Sequence, residues 1–240
     1  MKILCVIPAR YASTRLPGKP LADIVGKPMI QHVYERSAQA TIPQQVVVAT
    51  DDEKVFQAVQ QFGGKVVMTS SEHQTGTDRL AEVASKYAEV DVIINVQGDE
   101  PLIDPKVIDE LAQEFLNDTA LQMASVMSIM DTEDYQNPNA VKVVTDLNHN
   151  ALYFSRSLLP YPRVAGKANV YKHIGIYAYK KDFLLKFAKL EPTPLEQSES
   201  LEQLRALENG YKIKMIKTKS KFIGVDSIED LQTVNELLRK

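Results

Sequence analysis

Ile3-Leu4-Cys5-Val6-Ile7-Pro8, followed after Ala9 by Arg10-Tyr11-Ala12-Ser13-Thr14-Arg15-Leu16-Pro17-Gly18-Lys19-Pro20, sets an apolar run directly against a loop with three cations, two hydroxyls and a glycine. A short, unbroken apolar run reads as a buried strand. In an open α/β sheet, ligands bind beyond the carboxyl ends of the strands, so a loop this cationic at such an end points to a polyphosphate. Neither common phosphate cradle is present, since both Gly-x4-Gly-Lys-Ser/Thr and Gly-x-Gly-x-x-Gly are absent. A solvated basic loop is the plainer alternative, and the loop alone does not remove it.

Outward from this stretch, strands and helices alternate. Pro28 suits the first turn of a helix with Met29, Ile30, Val33 and Ser37 on one face. A second strand follows over 46–50. Asp51 and Asp52 then stand where they can cap a helix carrying Val55, Phe56, Val59 and Phe62, and Gly63-Gly64 ends it. A third strand (65–68), a helix (78–87) and a fourth strand (92–96) continue the pattern. Such alternation predicts an α/β fold with a mixed, mostly parallel sheet flanked by helices and joined by right-handed crossovers. The second half is less regular. Pro105 opens a helix, strand-like runs cover 123–129, 141–144, 151–156 and 174–179, and helices are expected over 182–189 and 198–208. A strand-like run follows over 211–217, and a last helix over 227–238 opens on the capping pattern Ser227-x-x-Asp230. No repeat or linker divides the chain, so residues 1–240 read as one domain, with residues of about 120–180 as an embedded substrate and dimer lobe. The loop over 160–170 is the segment expected to move.

Composition narrows the function. The 240 residues are 44% hydrophobic and 25% charged, ordinary for a globular chain. A net charge of -3 argues against a nucleic-acid partner but not against a small anion held by local charge. The single cysteine, Cys5, lies inside the first strand and reads as a core thiol. There is neither a signal-peptide pattern nor an apolar stretch of membrane-spanning length, so the expectation is a cytoplasmic protein with no membrane partner.

Four further clusters fall at strand ends or helix starts. Thr50-Asp51-Asp52 reads first as a helix cap. His73-Gln74-Thr75-Gly76-Thr77-Asp78-Arg79 could place backbone N–H groups around an anion or a base, or be an ordinary capped loop. Gln97-Gly98-Asp99-Glu100-Pro101 puts an acidic pair at the mouth of a parallel sheet opposite the cationic loop. That suits magnesium, which takes one or two carboxylates plus substrate phosphates. Asp99 is the better ligand candidate and Glu100 reads as part of the turn. Gly224-Val225-Asp226-Ser227, taken alone, reads as a cap before the last helix. The cationic loop and Asp99 together fit nucleotidyl transfer, in which cations and a metal hold a triphosphate while an oxygen attacks the α-phosphorus in line.

In order along the chain, several motifs resemble the 3-deoxy-manno-octulosonate cytidylyltransferases, the CMP-Kdo synthetases. They are Ile7 to Pro20, His73 to Arg79, Asn95 to Pro101, Asn137-Pro138-Asn139-Ala140-Val141-Lys142, Ala151 to Arg156, His173 to Tyr177, Leu201 to Arg205, and Gly224 to Asp226. The resemblance implies a Rossmann-like nucleotidyltransferase fold and the reaction CTP + Kdo → CMP-Kdo + pyrophosphate, with Mg2+, in a cytoplasmic homodimer serving lipopolysaccharide biosynthesis. It implies that Arg10, Arg15 and Lys19 grip the triphosphate and act in catalysis with Asp99. Pro8, Ala9, Ser13, Gln74, Arg79 and Gln97 would complete the CTP site. Arg156, His173, Tyr177, Glu202 and Gln203 would bind Kdo, and Asp99 and Asp226 the metal, which displaces the cap reading of Asp226. An arginine suits the sugar carboxylate, and the others offer hydrogen bonds to hydroxyls. Runs 123–129 and 151–156 are the expected dimer side. Two features depart from the family pattern, a shorter loop over 160–171 and an unusually polar stretch over 196–200. Rival readings are a synthetase for 8-amino-8-deoxy-Kdo, a glycosyltransferase, and a non-catalytic nucleotide-binding module.

Overall fold

In the computed structural model, which describes residues 1–12, 16–164 and 166–239, the opening run is β1 (Ile3–Ala9), an interior strand. Two short strands, β2 (Asp23–Ile24) and β3 (Lys27–Pro28), form a hairpin before α1 (Met29–Ser37). Then come β4 (Gln45–Thr50), α2 (Glu53–Gln61), β5 (Val66–Met68), α3 (Gly76–Lys86), β6 (Val92–Asn95) and α4 (Pro105–Asn117). The second half holds β7 (Met123–Ile129), β8 (Lys142–Thr145), β9 (Ala151–Ser155) and β10 (Tyr171–Lys180), then α5 (Lys181–Phe187), α6 (Pro194–Glu199), α7 (Gln203–Glu208), β11 (Lys214–Thr218) and α8 (Ile228–Leu238).

The main sheet runs β11-β7-β10-β6-β1-β4-β5. β6, β1, β4 and β5 are parallel, so their carboxyl ends share one edge, as the alternation implies. β10 enters antiparallel between β6 and β7, and β8 and β9 form an antiparallel extension from its start. Both faces are covered. Ile3, Cys5 and Ile7 of β1 pack with residues of α1, α2 and α4, whereas Leu4 and Val6 pack with residues of α3, α5 and α7. This two-sided burial is why β1 is apolar throughout rather than alternating. It also buries Cys5 fully and pushes its thiol up to about 12, in keeping with a core thiol. On α1 the buried residues are Met29, Ile30, Val33 and Ser37, the face its spacing marks.

The helix expected over 198–208 is instead two short ones. α6 ends at Ser200, whose backbone is left-handed (φ 52°), and α7 starts afresh at Gln203. The break follows from contacts with a distant strand, described below. β10 is longer than expected and bulges between Ile174 and Tyr177, which turns the Gly175 carbonyl towards β6.

Candidate active site

The carboxyl ends of β1 and β6 open onto a cavity of about 410 Å³. Its walls include Pro8, Ala9 and Arg10 from β1 and its exit, Lys19 from the returning loop, and Gln97 and Asp99 beyond β6. Gly98 brings the two strand ends together, because a Cβ there would stand 2.7 Å from the Pro8 carbonyl oxygen. Gly18 takes a left-handed conformation (φ 68°) and starts the 3-10 turn Lys19–Leu21, which aims Lys19 inward. The third wall is the segment before α8. Val225 N–H donates to the Asp99 carbonyl at 2.9 Å, which seats Asp226 beside Asp99. The helix cap belongs to Ser227 with Asp230, so Asp226 is not the cap residue.

Lys19 Nζ lies 2.5 Å from Asp99 Oδ2 and 2.8 Å from Asp226 Oδ1. Burial opposes its charge, but the two carboxylates outweigh burial and hold its pKa above the ordinary lysine value. Next to them Glu100 is deeply set, with Oε2 buried and unpartnered. Burial, reinforced by the Asp99 charge, pushes its carboxyl up to about 7. Two carboxylates converging on one cation, with only oxygen donors, form a set that a hard divalent ion fits.

Arg10 donates to the carbonyls of His73 (2.7 Å) and Thr75 (3.1 Å), tying the end of β1 to the turn before α3. Gly76 of that helix also lines the cavity. The His73 ring pairs with Glu82 at 2.5 Å. Two expected base contacts fall elsewhere. Arg79 is fully buried behind the site, bonded to Thr69 and, at 2.7 Å, to Asp51. It braces the ends of β4 and β5 and has no surface to offer a ligand. Asp51 is therefore its ion partner and not a cap; Asp52 alone caps α2. Gln74 is exposed and donates to Glu72 of its own loop. Ser13 and Arg15 lie outside the described residues.

The residues expected to hold a sugar acid gather past β6. Gln97 Nε2 donates to the carbonyl of Gly175 in the β10 bulge at 2.9 Å, linking the cavity to this second region. The His173 and Tyr177 rings lie 5.4 Å apart. His173 shares a hydrogen bond with Ser125 (3.0 Å) and packs edge-on against Phe154. Burial holds its imidazole down to about 3, hence neutral, and pushes the Tyr177 phenol above its ordinary value, with the Glu202 charge adding to the effect. Thr77 donates to Glu202 Oε2 at 2.5 Å, joining the starts of α3 and α7, and burial raises the Glu202 carboxyl. Glu202 Oε1, Gln203 Nε2 and Asn95 Oδ1 are buried without partners, and Asn95 stands opposite Tyr177 in register. Buried polar atoms are rarely left unpaired, so these three could exchange hydrogen bonds with a polar ligand.

Arg156 is turned onto backbone. Its guanidinium donates to the carbonyls of Pro138, Glu199 and Ser200. The Glu199 carboxylate accepts from Ser155 Oγ (2.5 Å) and Arg156 N–H (2.9 Å). These bonds stop α6 at Ser200 and set the turn leading to Glu202. Behind them Lys142 is fully buried, with Nζ donating to the carbonyls of Asn137 (2.7 Å) and Arg156 (3.1 Å), and burial lowers its pKa. Sequence reasoning gave neither Lys142 nor Glu199 a role. The signals were the motif Asn137 to Lys142, which carried Lys142 without a role, and the unusual polarity over 196–200, which these bonds and the Glu196–Arg205 pair (2.5 Å) account for.

Comparison with known proteins agrees with this fold. A cytidylyltransferase family model matches residues 4–215. A 3-deoxy-manno-octulosonate cytidylyltransferase of Geobacter metallireducens is 54% identical over 100% of this chain and 99% of its own. One of Geobacter sulfurreducens is 54% identical over the full length of both. The solved structure of a CMP:2-keto-3-deoxy-manno-octonic acid synthetase complexed with CTP superposes with a TM-score of 0.96 at 50% identity, covering 100% of this chain and 99% of that one. A glucose-1-phosphate thymidylyltransferase of Bacillus anthracis, putatively so named, is 18% identical with a TM-score of 0.69 over 99% and 96% of the chains, a likeness of fold alone. With a family match over most of its length, full-length relatives above half identity, and the cavity at the strand ends, this chain belongs to the 3-deoxy-manno-octulosonate cytidylyltransferase family of Rossmann-like nucleotidyltransferases.

Proposed function

We propose that this chain transfers CMP from CTP to the anomeric hydroxyl of Kdo, giving CMP-Kdo and pyrophosphate, with magnesium at Asp99 and Asp226. The observation that carries the reading is the junction made by Gln97, between a cavity holding cations and paired carboxylates and a region of unpartnered buried polar atoms. A triphosphate needs the first and a polyhydroxylated acid the second. The walls at Pro8 and Ala9 would take the cytidine, and Arg10 and Lys19 the phosphates. His173, Tyr177, Glu202 and Gln203 would bind the sugar. Arg156 would meet the sugar carboxylate with the guanidinium N–H groups that its backbone contacts leave over.

The sugar oxygen attacks the α-phosphorus while the bond to the pyrophosphate oxygen breaks, and the hydroxyl proton passes to solvent. No protein nucleophile is needed. Magnesium, when bound, would neutralise phosphate charge and ease ionisation of the hydroxyl. The chain's own part is positioning and electrostatic stabilisation. The product would be an activated sugar for lipopolysaccharide assembly. Ile129 of β7 and Leu152 of β9, exposed by 66% and 62%, support a homodimer formed on that side. Among the described residues, no helix is long and apolar enough to cross a membrane.

The test is pyrophosphate release from CTP and magnesium with Kdo, 8-amino-8-deoxy-Kdo or N-acetylneuraminate. Release with Kdo well above the other two is expected. No release with any acid sugar refutes the reading, and a preference for the amino sugar reassigns the substrate.

A further inference from the structure

We infer that, among the described residues, Lys19 is a resident counter-cation of the Asp99–Asp226 pair, and that it gives up this place to a divalent metal far more readily when a triphosphate is present to receive its ammonium. Metal and nucleotide then favour each other's entry to the site. This rests on the reading of the two aspartates as metal ligands.

Lys19 is poised for such an exchange. Its ammonium touches one oxygen of each carboxylate, at 2.5 and 2.8 Å, and only 14% of the side chain is exposed. Magnesium bonds carboxylate oxygens at about 2.0–2.1 Å. An ion held by this pair would contend with the ammonium for the same oxygens and be repelled by it. The backbone of Lys19 is fixed: its N–H donates to Leu16, its carbonyl accepts from Ala22, and Gly18 before it packs beneath the Tyr11 ring. A lysine stem is flexible, so the ammonium can change partners while the backbone stays in place. Arg10 lies on the same cavity wall, so phosphates bound there would offer the departing ammonium a new partner.

Binding coupling follows. Metal arriving alone must leave a mostly buried ammonium without its partners, and a buried charge stripped of its partner is costly. Metal arriving with a triphosphate meets no such penalty. Linkage makes the effect reciprocal, so each ligand raises affinity for the other. Neutralising residue 19 removes this competing cation and should strengthen metal binding specifically in the absence of nucleotide.

The experiment measures Mn2+ binding to the full-length, nucleotide-free protein by the electron paramagnetic resonance of the free ion. Lys19→Gln, and Lys19→Met as a second variant, should bind Mn2+ about tenfold more tightly than the parent. Lys19→Arg, which keeps the charge, should not. Adding Asp99→Asn to Lys19→Gln should abolish the gain. If the neutral variants bind Mn2+ no more tightly than the parent while Asp99→Asn still weakens binding, the exchange is refuted and the metal site stands. If Asp99→Asn and Asp226→Asn leave Mn2+ binding to Lys19→Gln unchanged, the metal reading falls and the exchange with it. Melting temperatures separate these outcomes from misfolding.

Discussion

Gly98→Ala tests whether the site depends on the close approach of two strand ends. The added Cβ would stand 2.7 Å from the Pro8 carbonyl oxygen and 3.8 Å from Ile30 Cδ1. Neither neighbour has room to retreat. Pro8 lies on β1, held between β4 and β6, and Ile30 is fully buried. The turn carrying Gln97 and Asp99 must therefore back away by about 0.5 Å to restore an ordinary contact. Overpacking of this kind costs about 1–3 kcal/mol. For a chain of this length, that lowers the melting temperature by about 2–12 °C. The shift also displaces Gln97 and Asp99 on the cavity wall, and positional errors of this order should lower turnover by about tenfold or more. Thermal melts by circular dichroism and pyrophosphate release from CTP and Kdo measure the two effects. Gly175→Ala, where the new methyl meets open space, serves as the stability control. A Gly98→Ala protein that melts within about 1 °C of the parent and turns over within about twofold of it would refute the reasoning.

Arg79→Met should cost about 3–5 kcal/mol in urea unfolding, because it leaves Asp51 without the partner of a buried ion pair; a loss of CTP affinity with stability intact would instead return Arg79 to the nucleotide site. His173 is held neutral by burial, with its pKa down to about 3 from the ordinary 6.5, so below pH 6.5 the unfolded chain binds the extra proton. Its contribution to stability is complete above that pH and declines as pH falls towards 3, by up to about 1.4 kcal/mol per pH unit. Urea unfolding at pH 7, 6 and 5 should show a shallower decline for His173→Gln than for the parent, and identical profiles would overturn the claim.

Sequence and structure diverge where distant contacts override local pattern. Leu201, Leu204 and Ala206 continue an apolar rhythm that reads as one helix over 198–208. Ser155 and Arg156, more than forty residues earlier, grip Glu199 and Ser200 and break it. Arg79 sits in a polar loop motif and reads as a ligand contact, yet folding brings Asp51 and Thr69 to it and closes it inside. Lys142 shows the same effect. In sequence it is a cation beside valines, and its partners are carbonyls supplied by two separate segments.

The sheet's parallel half, the cationic loop at the end of β1, Asp99 at the end of β6 and, through ordered motifs, the family are all legible in the order of residues along the chain. These are local properties: strand burial, turn chemistry and helix capping are written in residues that are neighbours along the chain. Folding in three dimensions is what makes Lys19 bridge Asp99 and Asp226, ties Gln97 of the cavity to Gly175 of the β10 bulge, and braces Arg156 with Lys142 and Glu199. Each of these pairings depends on where separate segments come to rest around the sheet, and charge pairing at 2.5–2.8 Å is set by that packing.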